Sequence, residues 1–320
     1  MTTDLDHVRG ALLRSLLALT PTLQRQFGVL AVGQAEDAGV ARQRLAELCR
    51  TGLLERVRTG IYRATLYPPS WEAAWMGQLL AAGPDAVISG RAAAYLHDLR
   101  FTWSGARPDL ELTVPRRGRR RRSGPAVVTE LNLLAGDTVR SGPWRLTSVA
   151  WTLCSLAYVL GLERFEKAVD AAVAGGRVTI EELGRTATRF RYCTGIPIIR
   201  EVLQRHDPRV RLTRSEAERL FLRALRRAGL PPPEVDHRVT DADGHRRYLD
   251  FAYPPWRIMI EIDVFGDHLR TIGRHHDGHR QNALVGEWTP LRFDELDLRY
   301  DLDRVVQEVR RALRDAGAVL

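Results

Sequence analysis

The sequence predicts an α/β multidomain protein: a small helical and hairpin unit at the N-terminus, a mixed α/β middle region and a C-terminal α/β domain. Three observations carry this. Short helical segments punctuated by glycines give way to two strand-like segments between Thr20 and Pro69. Helical and strand-like stretches then alternate without a fixed repeat to about Asp207. Finally, Arg257–Phe265 is a strongly apolar run of strand character with helical and strand-like segments on either side. At 320 residues the chain exceeds what one core usually serves, and boundaries are expected at 1–69, 70–207 and 213–320.

Met1–Leu19 mixes Asp4, Asp6, Arg9 and Arg14 with leucines. A signal peptide needs an uninterrupted apolar centre, so this stretch predicts an amphipathic helix instead. A further helix is expected around Pro21–Phe27, followed by Gly28-Val29-Leu30, and another over Val32–Ala38. Gly39 breaks it, because glycine turns tightly without steric cost. Ala41–Thr51 repeats apolar residues at helical spacing (Leu45, Leu48) and ends at Gly52, a natural C-cap. Leu53–Val57 and Gly60–Ala64 flank Arg58-Thr59-Gly60 as a hairpin. Helix, glycine turn, helix, hairpin is the order of a winged helix-turn-helix.

In the middle region, Trp71–Ala82 and Ser89–Leu99 have helical periodicity, and Trp71 and Trp75 read as core packing. Leu110–Val114, Ala126–Leu131 and Trp144–Thr147 read as strands, and Thr152–Leu160, Glu163–Ala174, Thr179–Thr188 and Pro197–Gln204 as helices. In the last region Ser215 is expected to cap a helix to Arg227, before Pro231-Pro232-Pro233. Val235–Val239 and Arg247–Phe251 flank the turn Asp241-Ala242-Asp243-Gly244 as a second hairpin. A helix around Asp277–Trp288, a strand Pro290–Phe293 and a helix Leu302–Ala316 capped by Asp301 complete the chain.

The formal net charge of +9 and pI near 10 favour a polyanionic partner. Lys167 is the only lysine, so the cations are arginines. No stretch reaches ~18 uncharged apolar residues, which argues against a membrane-spanning helix or a membrane partner. Cys49, Cys154 and Cys193 are odd in number and far apart, which disfavours a disulfide framework and fits a cytoplasmic setting.

The sharpest chemical feature is Ile258-Met259-Ile260-Glu261-Ile262-Asp263-Val264-Phe265. Along a strand Glu261 and Asp263 share one face, with Ile260, Ile262 and Val264 on the other. Carboxylates beside a buried sheet are costly unless a cation or donors compensate them. Asp250 is expected on the adjacent strand and Glu218 on the preceding helix. Together they suggest a site for a hard divalent ion such as Mg²⁺, held by Asp250 and Glu261. The competing reading pairs Glu261 and Asp263 with arginines such as Arg270 or Arg280.

These residues resemble the PD-(D/E)XK nuclease superfamily, in particular the branch near very-short-patch repair endonucleases. Glu218 matches its helical Glu, Asp250 its hairpin Asp, Glu261 and Asp263 its strand pair, and His268 its histidine. Asp277 and Arg280 match its later helix, and Leu291-Arg292-Phe293 its last strand. The resemblance implies a restriction-endonuclease-like α/β domain, with Glu218, Asp250, Glu261, Asp263 and His268 as catalytic candidates. Val264 stands where the branch has glycine, and Asp263 occupies the place of the superfamily lysine.

The string from Gly28-Val29-Leu30 through Gly60-Ile61-Tyr62-Arg63 resembles the winged helix-turn-helix of AbiEi-type antitoxins, and Ser89–Leu99, Leu112-Thr113-Val114-Pro115 and Leu146–Leu153 extend the likeness to about residue 160. It implies an antitoxin-like transcriptional regulator with double-stranded DNA and a cognate toxin protein as partners. Arg42, Gln43 and Arg44 stand in the first turns of the second helix, where base edges come within reach. Arg50 and the wing residues Arg56, Arg58 and Arg63 suit phosphates. Arg116, Arg117, Arg119, Arg120, Arg121 and Arg122 form a basic loop, either solvated or making non-specific phosphate contacts. His275, His276 and His279 have spacing that allows zinc, though exposed histidines fit as well. Three functions follow: a DNA-binding regulator, a Mg²⁺-dependent endonuclease targeted by the winged helix, and an adaptor whose nuclease fold has lost its chemistry.

Overall fold

The structure is a computed structural model and describes residues 2–99, 102, 105–115, 127–190, 193–240, 246–264 and 288–320. It divides into two compact units, one of residues 1–156 and 167–172, the other of residues 157–166 and 173–320.

The first unit opens with α1 (Thr2–Arg25), followed by β1 (Val29–Ala31), α2 (Val32–Asp37), α3 (Arg42–Arg50), β2 (Leu54–Arg58) and β3 (Ile61–Ala64). The helix expected around Pro21–Phe27 is the end of α1, with Pro21 inside it. Leu19 and Leu23, buried on either side, hold the helix together across a residue that cannot donate to it. Gly28 ends α1 at φ +80° and donates to the Leu23 carbonyl at 2.7 Å. The three strands form an antiparallel sheet in the order β1-β3-β2. Leu12, Leu19, Leu23, Leu30, Leu45, Leu48 and Leu54 make the core beneath. α2, a glycine turn, α3 and the β2–β3 wing have the arrangement of a winged helix-turn-helix.

The rest of this unit is built on a five-stranded sheet. Its strands are β4 (Val87–Ile88), β5 (Glu111–Val114), β6 (Val127–Glu130), β7 (Thr138–Ser141) and β8 (Trp144–Thr147), in the order β6-β5-β4-β8-β7. α4 (Trp71–Ala82), capped by the Ser70 hydroxyl, and α5 (Gly90–Leu96) accompany it. Val29 and Ile61 of the winged helix are buried in one cluster with Trp75, Met76, Leu79, Ile88, Leu112 and Leu146. The stretches expected as separate at residue 69 therefore share a core.

α6 (Val149–Ala174) contributes to both units. The sequence predicts two helices here, and Gly161, at φ +71°, supplies the kink between them. The second unit continues with α7 (Ile180–Ala187), α8 (Ile196–His206), α9 (Arg214–Arg227), β9 (Glu234–Thr240), β10 (Arg246–Tyr253), β11 (Ile258–Asp263), β12 (Thr289–Asp294), α10 (Glu295–Tyr300) and α11 (Leu302–Asp315). Thr213, not Ser215, caps α9, through a reciprocal box with Glu216 that satisfies two terminal donors. Asp301 sits at the start of α11 without a side-chain cap bond. The turn 241–244 and the helix expected from Asp277 lie outside the described residues, Trp288 apart.

The sheet of this unit runs β12-β11-β10-β9, with β9, β10 and β11 antiparallel and β11 parallel to β12. Ile258, Ile260, Ile262 and Val264 face one core with Phe221, Phe251, Phe293 and Val309. Met259 lies in a smaller cluster with Leu249 and Ala252.

Arginine–carboxylate pairs tie this unit's helices and sheet. Arg200 of α8 binds Asp294, and both side chains are nearly buried. Asp207 accepts from Arg299 at 2.7 Å and from Arg209 at 2.8 Å. Burial alone would raise the Asp207 carboxyl, but the hydrogen bonds from Arg209 and Arg299 hold it below its ordinary range. A depressed folded-state value stabilises the fold at neutral pH, and that contribution is lost as pH falls through it.

Candidate functional site

Leu45 and Leu48 anchor α3 in the core, and that anchoring decides which residues it presents outward. Arg42, Gln43, Ala46 and Arg50 are exposed. Positions 42, 46 and 50 recur at four-residue spacing, so they line one stripe of the helix, with Gln43 beside it. Sequence reasoning missed Ala46. Its small side chain lets the helix backbone approach a surface closely.

The arginines differ in how they are held. Arg42 pairs with Glu36 of α2 at 2.6 Å, although its side chain remains 72% exposed. Arg44 pairs with Glu47 one turn on and lies at the flank of the stripe. Arg56 is exposed on the wing, with its Nε 3.4 Å from the Arg58 carbonyl, and Arg58 is half-buried. Arg63 behaves otherwise. It donates to Glu55 at 2.7 Å and to the Tyr67 carbonyl, with a side chain only 13% exposed. It binds the wing to the segment that follows, so its guanidinium faces protein. The basic loop of Arg116, Arg117 and Arg119–Arg122 lies outside the described residues.

The carboxylates of the second unit gather in part. The β10–β11 ladder is in register from Tyr253↔Ile258 to Phe251↔Ile260. One step further, the Asp250 carboxylate accepts from the Ile262 N–H at 3.2 Å. Asp250 also accepts from Arg214 at 2.6 Å, and the same guanidinium donates to Glu218 at 3.0 Å. Burial raises the Asp250 carboxyl, and the neighbouring charges of Glu218 and Asp263 add to the rise, against Arg214 and the Ile262 N–H. Glu218 and Asp263 thus act electrostatically on Asp250.

Glu261 is paired with Arg292, its register partner on β12, at 3.1 Å. An arginine thus compensates Glu261, as one of the two readings expects, and Arg214 does the same for Asp250 and Glu218; Arg270 and Arg280 lie outside the described residues. Among the described residues no three His, Cys, Asp or Glu side chains are grouped to hold a metal ion. Each Asp250 oxygen accepts a hydrogen bond, from Arg214 and from the Ile262 N–H, and Arg292 engages Glu261, so a metal ion held by these two carboxylates would compete with both arginines. His268, Asp277, Arg280, His275, His276 and His279 lie outside the described residues, as do Arg270 and the place of any zinc site they would form.

Comparison with known proteins bears on the first of these sites. Two uncharacterized proteins of Mycobacterium tuberculosis, Rv2248 and MT2308, are each 27% identical over 281 residues, covering 86% of this chain and 97% of theirs. The crystal structure of the RV2827C protein from the same organism aligns with 58% of this chain and 78% of its own, at 15% identity and a TM-score of 0.34. No helix among the described residues is long and apolar enough to cross a membrane. The segment that holds α2, α3 and the wing, residues 18–65, matches the family model of the AbiEi antitoxin transcriptional regulator.

Proposed function

We propose that the chain is a DNA-binding transcriptional regulator of the antitoxin kind, reading duplex DNA through α3 and the wing and opposing a cognate toxin protein. The observation that carries this is the coincidence of the matched segment with an outward stripe of Arg42, Gln43, Ala46 and Arg50. A helix entering the major groove needs polar side chains able to meet base edges, with cations at its margins for phosphates. Arg56, also exposed, extends the basic surface onto the wing.

Gel shifts with duplexes from the protein's own promoter region test this reading. Binding is expected at low salt and falls steeply as salt rises, because each neutralised phosphate releases counterions. Arg42→Ala and Gln43→Ala should flatten the preference between operator and unrelated duplex by ~1–3 kcal/mol per lost base contact. Arg50→Ala should weaken both duplexes alike. Absence of binding by the intact protein at low salt would sink the proposal.

A second reading, metal-dependent cleavage of DNA, rests on the half-buried Asp250 with Glu218 and Asp263 beside it at the point where the β10–β11 ladder ends. The order α9, hairpin, β11, parallel β12, α11 supports it as well. On this reading Asp250 and Glu261 hold the ion, and Arg214 and Arg292 must release them first. Plasmid nicking with Mg²⁺ or Mn²⁺ is then expected, and Asp250→Ala and Glu261→Ala should abolish it while DNA affinity is retained. Wild-type protein that leaves plasmid and mismatched duplex intact would leave the regulator reading alone.

A further inference from the structure

The five-stranded sheet of the first unit ends in an open cleft of about 590 Å³. It lies where β4 and β8 begin and β5 ends, and β7 borders it. Its volume is in the range of small-molecule sites, ~300–1,000 Å³. Leu131, Leu134 and Val139 line it and are 39%, 62% and 40% exposed, an apolar surface without cover.

Two arginines line the same cleft. Arg140 of β7 and Arg145 of β8 are register partners, directly opposite each other across an antiparallel pair. Opposite residues on such a pair lie on one face with Cβ atoms ~4.5–5.5 Å apart, and like charges there are destabilising. Among the described residues, neither guanidinium has a carboxylate within ion-pair distance. Among the described residues Arg145 donates to the Gly83 carbonyl, at 3.2 Å, and the charge of Asp85, exposed in the same lining, acts on it without an ion-pair contact. Elsewhere this protein compensates arginines readily, as Arg200, Arg214, Arg299 and Arg304 illustrate. Burial and the nearby Arg140 also lower the pKa of Arg145, outweighing the opposing charge of Asp85, and an anion between the two arginines would reverse the shift.

We propose that this cleft is a binding site for a small organic anion, its carboxylate or phosphate held between Arg140 and Arg145 and its apolar body against Leu131, Leu134 and Val139. Two adjacent guanidiniums offer planar forks that suit either headgroup. The apolar rim requires more than a bare ion. The inference is independent of DNA binding and of the carboxylates in the second unit.

The test is a titration of methyl-labelled full-length protein, followed by NMR, with benzoate, phenyl phosphate, benzyl alcohol and inorganic phosphate as probes. Saturable shifts are expected at the methyls of Leu131, Leu134 and Val139 with benzoate or phenyl phosphate, and the tighter of the two identifies the headgroup. Benzyl alcohol, which lacks the charge, and inorganic phosphate, which lacks the apolar body, should each bind at least about tenfold more weakly. Arg145→Gln should weaken the preferred probe by a similar factor. Arg140→Gln should do the same, and because Arg140 is exposed that substitution leaves the Gly83 contact and the fold in place. Shifts that are absent, scattered over the surface, equal for inorganic phosphate or unchanged in Arg140→Gln would overturn the proposal. So would displacement of the probe by duplex DNA, which would make the cleft part of the DNA contact.

Discussion

Replacing Arg304 by Ala should destabilise the second unit by about 3–5 kcal/mol, the usual cost of stranding one member of a buried ion pair. Asp297 is completely buried and binds Arg304, which also donates to Asp301 at 3.0 Å and to Glu308 at 2.5 Å. The other Asp297 oxygen accepts from the Asp294 N–H at 3.0 Å, and Asp294 in turn holds Arg200. Removing Arg304 therefore takes the guanidinium from a fully buried carboxylate. Urea unfolding followed by circular dichroism measures the loss. Arg311→Ala serves as the control, because its pair with Asp315 spans 3.6 Å between largely exposed side chains. Such a pair contributes within about 1 kcal/mol. Equal midpoints for the two variants would mean that Asp297 finds compensation elsewhere.

Gly28→Ala should collapse the winged helix and abolish DNA binding with it. At φ +80° a side chain is strained, at a cost of ~1–3 kcal/mol. A Cβ there would also lie 2.4 Å from Cβ and Cγ of Tyr67, which must move. Gly28 closes α1 and accepts from the Ala64 N–H at 2.8 Å, so the displacement reaches β3 directly. Gly39→Ala separates the two effects. Gly39 has nearly the same φ, +77°, and nothing within 4 Å of its would-be Cβ. Thermal melts should therefore place Gly28→Ala well below Gly39→Ala, which bears the backbone strain alone. If the two melt together, the contact with Tyr67 is soft and Gly28 is merely a turn.

The winged helix was legible because its signals are local. Gly39 and Gly52 mark turns, Leu45 and Leu48 mark the buried face of α3, and the hairpin has its own glycine. β11 was legible for the same reason, its alternation of Ile260, Glu261, Ile262 and Asp263 fixing two faces by itself. β4 and β7 were not. β4 has two residues, too few for a period, and β7 reads Thr-Val-Arg-Ser at a sheet edge. α10 was missed because its formation depends on Asp294 and Asp297 capping it while buried against Arg200 and Arg304, partners distant in sequence or in the next helix. The candidate carboxylates were found from spacing, but their arginines were not. Arg214 is 36 residues from Asp250, and Arg292 reaches Glu261 only through the parallel pairing of β12 with β11. Arg63 has the same composition-level signal as Arg56, and only burial tells them apart.

The division of α6 between the units bears on how such a chain is inherited and cut. The polypeptide changes unit after Leu156, after Glu166 and after Ala172, all within one kinked helix. No single recombination point in the gene separates the two units with both whole: a point after Ala172 keeps the first complete but takes residues 157–166 from the second, and a point after Leu156 keeps the second but takes residues 167–172 from the first. Limited proteolysis within the helix should likewise yield fragments that remain associated or unfold together. The two units are thus expected to evolve together more often than as exchangeable modules.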